Sequence, residues 1–257
     1  MRVLILGGTT EASELARLAG PDARLDPTLS LAGRTAQPTL PSISYRIGGF
    51  GGSEGLARWL AAERIEAIVD ATHPFAARIS ENAVTAAHAS RIPLASIVRP
   101  EWTAEAGDRW TMVDSADAAA RALGTKAARV FLTIGRRDLA AFKAAPMHSY
   151  LVRSVDPPAA EDLPPKTDLI LQRGPFDEAA EEQLMRNRGI EMLVAKNSGG
   201  DATYAKIAAA RALGLPVVMI ARPPKVAGAE FADAAAAHAW LVSLLRSHNT
   251  ASSERGV

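Results

Sequence analysis

The 257-residue chain contains no cysteine, which excludes disulfides and thiolate metal centres and makes a reducing cytoplasm the simplest compartment. It also lacks a charge imbalance, since 29 Lys and Arg face 28 Asp and Glu. Such a chain projects no general field toward nucleic acid or an anionic membrane, so an anionic ligand has to be met by local groups of Arg and Lys. Long apolar runs are missing too: no uncharged stretch reaches the roughly 20 residues of a membrane span. The opening run Val3 to Leu6 is only a strand long before Gly7-Gly8 ends it, unlike the core of a secretory signal. Neither nucleic acid nor membrane is therefore expected as a partner. The length suits two compact α/β lobes, each burying its own core.

What the chain does contain is an alternation of short apolar runs with longer stretches of helical period, the pattern of successive βα units and a parallel sheet. In the first half, strands are predicted at Arg2 to Leu6, Leu25 to Leu31, Ser44 to Ile47, Ala67 to Asp70 and Leu94 to Val98. Helices are predicted at Glu11 to Leu18, from Ser53 and Glu54 as caps to about Arg64, and at Ala76 to Ala89. Arg99-Pro100-Glu101-Trp102 breaks the period and places a boundary there, giving a first domain over residues 1–100. The second half repeats the alternation less strictly, with strands at 110–113, 129–133, 149–152, 168–172, 191–195 and 217–220, and helices around 115–123, 177–188 and 203–213. An alanine-rich helix from Phe231 to Leu245, able to pack on either lobe, closes a second domain over 101–247, and the polar residues 248–257 form a disordered tail.

Gly7-Gly8-Thr9-Thr10-Glu11-Ala12 joins the first strand to the first helix. Glycines there let the backbone approach a pyrophosphate while the helix N-terminus offers N–H donors. Against the usual dinucleotide pattern Gly7 keeps the first position, Thr9 replaces the second glycine and Ala12 stands at the third. By itself the loop reads equally as a tight turn. The tip of the second strand, Ser30-Leu31-Ala32-Gly33-Arg34, pairs a hydroxyl with a guanidinium where a carboxylate would repel a ribose phosphate, which favours NADPH over NADH, with Asp26 as the opposing signal. Gly48-Gly49-Phe50-Gly51-Gly52 is either a hinge or a backbone surface for a flat ligand, with Phe50 placed to cover it. Thr72-His73-Pro74 follows a central strand, so His73 can orient substrate or relay a proton, whereas a lone His is more often structural.

In the second half, Arg136 and Arg137, Arg173, Lys196 and Arg222 all follow predicted strands. Lys196-Asn197-Ser198-Gly199-Gly200-Asp201, with Tyr204 and Lys206 beyond it, has the make-up of a carboxylate-binding nest. Each basic residue alone reads as a solvated charge, but ligands of open parallel sheets bind at the carboxyl ends of strands, where these cluster.

The ordered set Gly7 to Ala12, Ala32 to Thr35, Gly48 to Gly52, Asp70 to Ala76, Arg99 to Trp102, Gly174-Pro175-Phe176 and Lys196 to Gly200 resembles the precorrin-6A reductase family of cobalamin biosynthesis, over residues 3 to about 223. Asn197 departs from it, standing where an acid is expected. The resemblance implies two Rossmann- or flavodoxin-like lobes with parallel sheets and an active cleft between them, and an NADPH-dependent reduction of a macrocyclic double bond. It places the cofactor at Gly7, Gly8, Thr9, Thr10, Glu11, Ser30, Arg34, Gly49, Phe50, Thr72 and His73. The substrate carboxylates then fall to Arg136, Arg137, Lys196, Ser198, Gly199, Gly200, Lys206 and Arg222. Proton delivery falls to His73, Tyr204 or Asp201, or to water. No metal site is implied, and contact with neighbouring pathway enzymes is a further implication. A cobalt-carrying substrate, a cofactor-independent tetrapyrrole synthase and a non-enzymatic NADPH sensor are the alternatives. A short-chain dehydrogenase is excluded, because none of Tyr45, Tyr150 and Tyr204 has Lys four positions on.

Overall fold

The computed structural model describes residues 1–33, 42–224 and 228–253. The predicted cofactor residue Arg34, and residues 254–257 of the predicted tail, lie outside them. The chain forms two compact units, one of Met1–Arg99 with Pro224–Val257, the other of Pro100–Pro223.

The first unit runs β1 (Arg2–Leu6), α1 (Thr10–Ala19), β2 (Asp26–Leu31), β3 (Ser44–Ile47), α2 (Gly52–Ala62), β4 (Ala67–Asp70), α3 (Ala77–Ser90) and β5 (Leu94–Ile97). Its β1 shows why an unbroken apolar run is needed in a parallel sheet covered on both faces. Successive side chains alternate between faces: Val3 and Ile5 join Leu15 and Ala19 of α1 in one core, while Leu4 and Leu6 join Leu56 and Leu60 of α2 and Ala83 of α3 in the other.

The second unit runs β6 (Arg109–Val113), α4 (Ala116–Ala122), β7 (Arg129–Thr133), a 3-10 helix (Arg136–Ala144), β8 (Ser149–Ser154), β9 (Thr167–Leu171), α5 (Glu178–Asn187), β10 (Met192–Lys196), α6 (Ala205–Ala212) and β11 (Pro216–Ile220). Phe131, Leu151, Leu193 and Met219 from its central strands pack with Met185, Ile207 and Trp102. The chain then returns to the first unit as β12 (Ala229–Phe231) and α7 (Ala234–Ser253).

Both sheets are parallel, six-stranded and equivalent in order: β3-β2-β1-β4-β5-β12 in the first and β9-β8-β7-β10-β11-β6 in the second. In each, the edge strand beside the fifth comes from outside the unit's run of five: β12 follows the whole second unit, and β6 precedes β7.

Three expectations are corrected. The closing helix starts at Ala234 rather than Phe231, which lies in β12, and it continues through residues 248–253 instead of giving way to a tail at 248. Ala234, Ala237 and Leu241 join the core of the first unit, so residues 224–247 leave the second domain to which 101–247 assigned them. Ser53 and Glu54 do not cap α2; its N-cap is Gly51, at φ 80°, without a side-chain cap bond.

Candidate active site

At the carboxyl ends of the first sheet the glycine loop is tied to both neighbouring strands. The Gly7 N–H donates to the Ser30 carbonyl of β2 at 2.9 Å. Thr9 is the N-cap of α1, accepting from the Ala12 N–H at 3.2 Å, and its hydroxyl donates to the Ala71 carbonyl beyond β4 at 2.7 Å. Between them Gly8 adopts φ 111° with nothing near the direction a Cβ would take, so the backbone faces open space ahead of the helix. A depression here is lined by Thr9, Glu11, Ala71, Thr72, Pro74, Ile97 and Arg99.

Two polar devices shape that depression. Asp70, 1% exposed, accepts from the Thr72 hydroxyl at 2.6 Å and from the Thr72 N–H at 3.0 Å. With its proton directed at Asp70, the Thr72 oxygen presents lone pairs for a ligand's N–H. Glu11, in the first turn of α1, accepts from Arg99 at 2.7 Å. Burial works to raise the Glu11 pKa, but its own backbone N–H and Arg99 outweigh burial and hold it below the ordinary carboxylate value.

His73 is exposed, and its Nδ1 accepts from the Phe75 N–H at 3.2 Å, which puts the proton of a neutral ring on Nε2. Ser30 and Phe50 come together through a residue that sequence reasoning passed over, Arg46. Its Nη1 donates to Ser30 Oγ at 2.9 Å, and its guanidinium lies 3.9 Å above the Phe50 ring. Phe50 also meets Trp59 edge-on at 5.4 Å, so it is partly a core residue rather than an open cover. The signal for Arg46 was its place in register with Ser30 on adjacent strands.

In the second unit the loop after β10 folds against residues 100–102. Asn197 Oδ1 accepts from the Trp102 N–H at 2.9 Å while its Nδ2 donates to the Trp102 carbonyl at 3.0 Å. An acid could not make the second bond, which explains the amide at this position. Trp102 Nε1 donates to the Gly200 carbonyl at 3.0 Å. Arg222 donates to the Asn197 carbonyl at 3.2 Å and pairs with Glu101 at 3.3 Å, and Lys196 pairs with Asp138. Arg136 and Arg137 are exposed at the start of the 3-10 helix that carries Asp138. Ser198 and Gly199 are buried, and Asp201 is exposed.

Two of the predicted residues sit differently from expectation. The Tyr204 hydroxyl donates to Glu105 at 2.9 Å and accepts from Arg211 at 2.6 Å, so its proton is held by a carboxylate. Burial leads in raising its pKa, with Arg211 and Glu105 acting in opposite senses. Lys206, expected to meet a substrate carboxylate, is 5% exposed; it donates to the Thr203 carbonyl at 2.6 Å and lies 4.9 Å over the Trp102 ring.

Burial lowers the Lys206 pKa to about 7, Arg153 pushing the same way and Glu181 opposing. The unfolded chain therefore binds one more proton than the folded chain between about 7 and the ordinary value of 10.5. Stability should rise with pH across that window, and the buried charge should destabilise fully below it. Lys206→Met is expected to remove this rise and to stabilise the unit below neutrality by about 1–4 kcal/mol. Denaturant melts at several pH values measure both, and a flat wild-type profile across the window contradicts the assignment.

The comparisons with known proteins concern the chain as a whole. The family model for precorrin-6x reductase CbiJ/CobK matches residues 2–242. A precorrin-6A reductase of Sinorhizobium sp is 55% identical over 221 residues, 86% of this chain and 85% of that one. A cobalt-precorrin-6A reductase of Priestia megaterium is 30% identical over 236 residues, covering 86% and 90%. The solved structure of a CobK precorrin-6A reductase superposes with a TM-score of 0.90 at 45% identity, over 95% of this chain and 96% of that one. Among the described residues no helix is long and apolar enough to cross a membrane. With the family model spanning nearly every element of both sheets, the chain belongs to the precorrin-6x reductase family.

Proposed function

We propose that this chain reduces a macrocyclic double bond of precorrin-6A to give precorrin-6B, with NADPH as the reductant. The observation that carries the reading is the depression at the carboxyl ends of β1, β4 and β5, where the N-terminus of α1 and the Asp70-oriented Thr72 hydroxyl line one space. Bound NADPH would supply a hydride from its nicotinamide ring to a macrocycle carbon.

The residues present fit that group. The backbone at Gly8 leaves room for a diphosphate ahead of the α1 N-terminus, and Thr72 offers an acceptor for a carboxamide N–H. Arg99 is a further cation at that rim, shared with Glu11. In the second unit Arg136, Arg137, Lys196 and Arg222 supply positive charge for the carboxylate arms of the tetrapyrrole. The chain's role is chiefly positioning, together with delivery of one proton to the atom beside the one that receives hydride. His73, with its proton on Nε2, suits this better than Tyr204, whose proton faces Glu105. A metal-free substrate is favoured over the cobalt form because identity to a precorrin-6A reductase is 55%, against 30% to a cobalt-precorrin-6A reductase.

The test is anaerobic NADPH oxidation with precorrin-6A, against a control without tetrapyrrole. Substrate-dependent oxidation giving a dihydro product is expected; NADPH binding without turnover of either the metal-free or the cobalt substrate would favour a sensor. Within that assay His73→Ala should lower kcat by about 10²-fold and remove one limb of its pH profile. An unchanged profile returns His73 to positioning.

A further inference from the structure

Arg46 is a half-buried cation with no acid beside it. Its Nη1 donates to Ser30 Oγ and to the Gly48 carbonyl, both at 2.9 Å, and its Nη2 donates to the Gly49 carbonyl at 3.1 Å. Every one of these acceptors is neutral. Among the described residues no carboxylate lies within ion-pair distance of it, and one Nη2 N–H and the Nε N–H have no partner. Phe50 at 3.9 Å and Trp59 at 5.6 Å lie against the guanidinium, and such stacking fixes its plane while leaving an edge of donors for a planar or tetrahedral anion. Burial lowers the Arg46 pKa, as expected of a charge lacking a counter-ion.

The position of this charge is specific. Ser30 and Arg46 face one another in the β2–β3 register, and the Ser30 carbonyl holds the Gly7 N–H of the glycine loop. In a parallel sheet of this order, a dinucleotide whose diphosphate sits at the α1 N-terminus lays its adenosine ribose over the end of β2. The side chain there is a serine already bonded to Arg46, and among the described residues at this strand end no carboxylate is present to take a free 2′-hydroxyl.

We propose that Arg46 reads the 2′-phosphate of the adenosine half of the cofactor, and so sets the preference for the phosphorylated dinucleotide. This rests on the NADPH reading above. Ser30 is its positioning partner, and the Phe50–Trp59 pair holds the fork in plane.

Calorimetric titration of the full-length protein with adenosine 2′,5′-bisphosphate and with 5′-AMP tests it. Wild type is expected to bind the bisphosphate more tightly. Arg46→Gln should lose about 10- to 100-fold for the bisphosphate, the worth of a charged hydrogen-bonded contact, and less than about threefold for 5′-AMP. Arg46→Lys, which keeps the charge without the fork, should retain part of the preference. Equal losses for both ligands would make Arg46 a clamp on the 48–52 loop and overturn the proposal, as would a bisphosphate preference kept intact in Arg46→Gln. A wild type indifferent to the 2′-phosphate would instead remove the NADPH reading, and this assignment with it.

Discussion

Replacing Glu181 with alanine should cost the second unit about 3–5 kcal/mol of stability, because it leaves two cations buried without their acid. Arg153 on β8 and Glu181 on α5 are 7% and 3% exposed, and they form a bidentate pair at 2.5 and 2.7 Å. Phe176 at 3.8 Å and Phe131 at 4.9 Å flank the guanidinium. Glu181 is also the group that supports the charge on Lys206. Without it, Lys206 should titrate lower still, and the pH window over which stability rises should widen downward.

The informative comparison is the double variant Arg153→Met/Glu181→Leu. Removing both leaves neither member of the pair stranded, and it takes from Lys206 the opposing cation together with the supporting acid, so most of the loss should be recovered. Chemical melts of wild type, Glu181→Ala and the double variant decide it. A Glu181→Ala loss under about 1 kcal/mol, the range of an exposed pair, would show that solvent reaches the site.

If the 196–200 loop holds substrate carboxylates as proposed, Gly199→Ala is expected to lower kcat/KM for the tetrapyrrole by about 10²-fold or more, since small misplacements of a binding loop are costly. Gly199 adopts φ 66°, and a Cβ there would fall deep inside contact distance of the Pro100 carbonyl oxygen and 2.8 Å from Arg222 Nη2. Neither neighbour can retreat easily. Pro100 precedes Trp102, whose backbone is held on both sides by Asn197, and Arg222 is bonded to the Asn197 carbonyl. The loop must therefore move as a body, carrying Lys196 and Ser198 with it.

Gly214→Ala provides the control, because Gly214 has a similar φ of 63° with nothing near its Cβ direction. It should show only the left-handed backbone cost of about 1–2 kcal/mol in a melt, with turnover preserved. Equal effects of the two substitutions would remove the steric argument.

The parallel sheets were legible because β1, β4, β7, β10 and β11 are apolar runs bounded by glycine, proline or charge, a local signal. The edge strand β6 was legible too, at 110–113, but β12 was not. β12 is the three residues Ala-Glu-Phe, too short and too polar for any period, and it exists because β5 leaves an edge to pair. The 3-10 helix at Arg136–Ala144 likewise lay hidden behind charges that read as loop.

The candidate site divides in the same way. The glycine loop, Thr72 and the 196–200 segment stand out by composition and by following strand ends, although the glycine loop taken alone reads equally as a tight turn. Arg46 and Arg153 do not stand out, and for Lys206, which the sequence does single out, the burial does not. Whether a cation is solvated, stacked on an aromatic ring or buried against a glutamate depends on which strand lies beside it, and that is settled by register and long-range packing.

The reciprocal placement of β6 and β12 bears on how the protein is made. A ribosome releases the first five strands of the N-terminal sheet early, yet β5 keeps an open edge, and the Val3–Ile5 face waits for Leu241, until the last thirty or so residues emerge. The unit begun first is thus completed last, after all of the second has been synthesised. Exposed strand edges invite pairing with other chains, so a nascent chain stalled before residue 229 is the form most prone to aggregate. Trimming the far C-terminus is in effect an operation on the N-terminal domain.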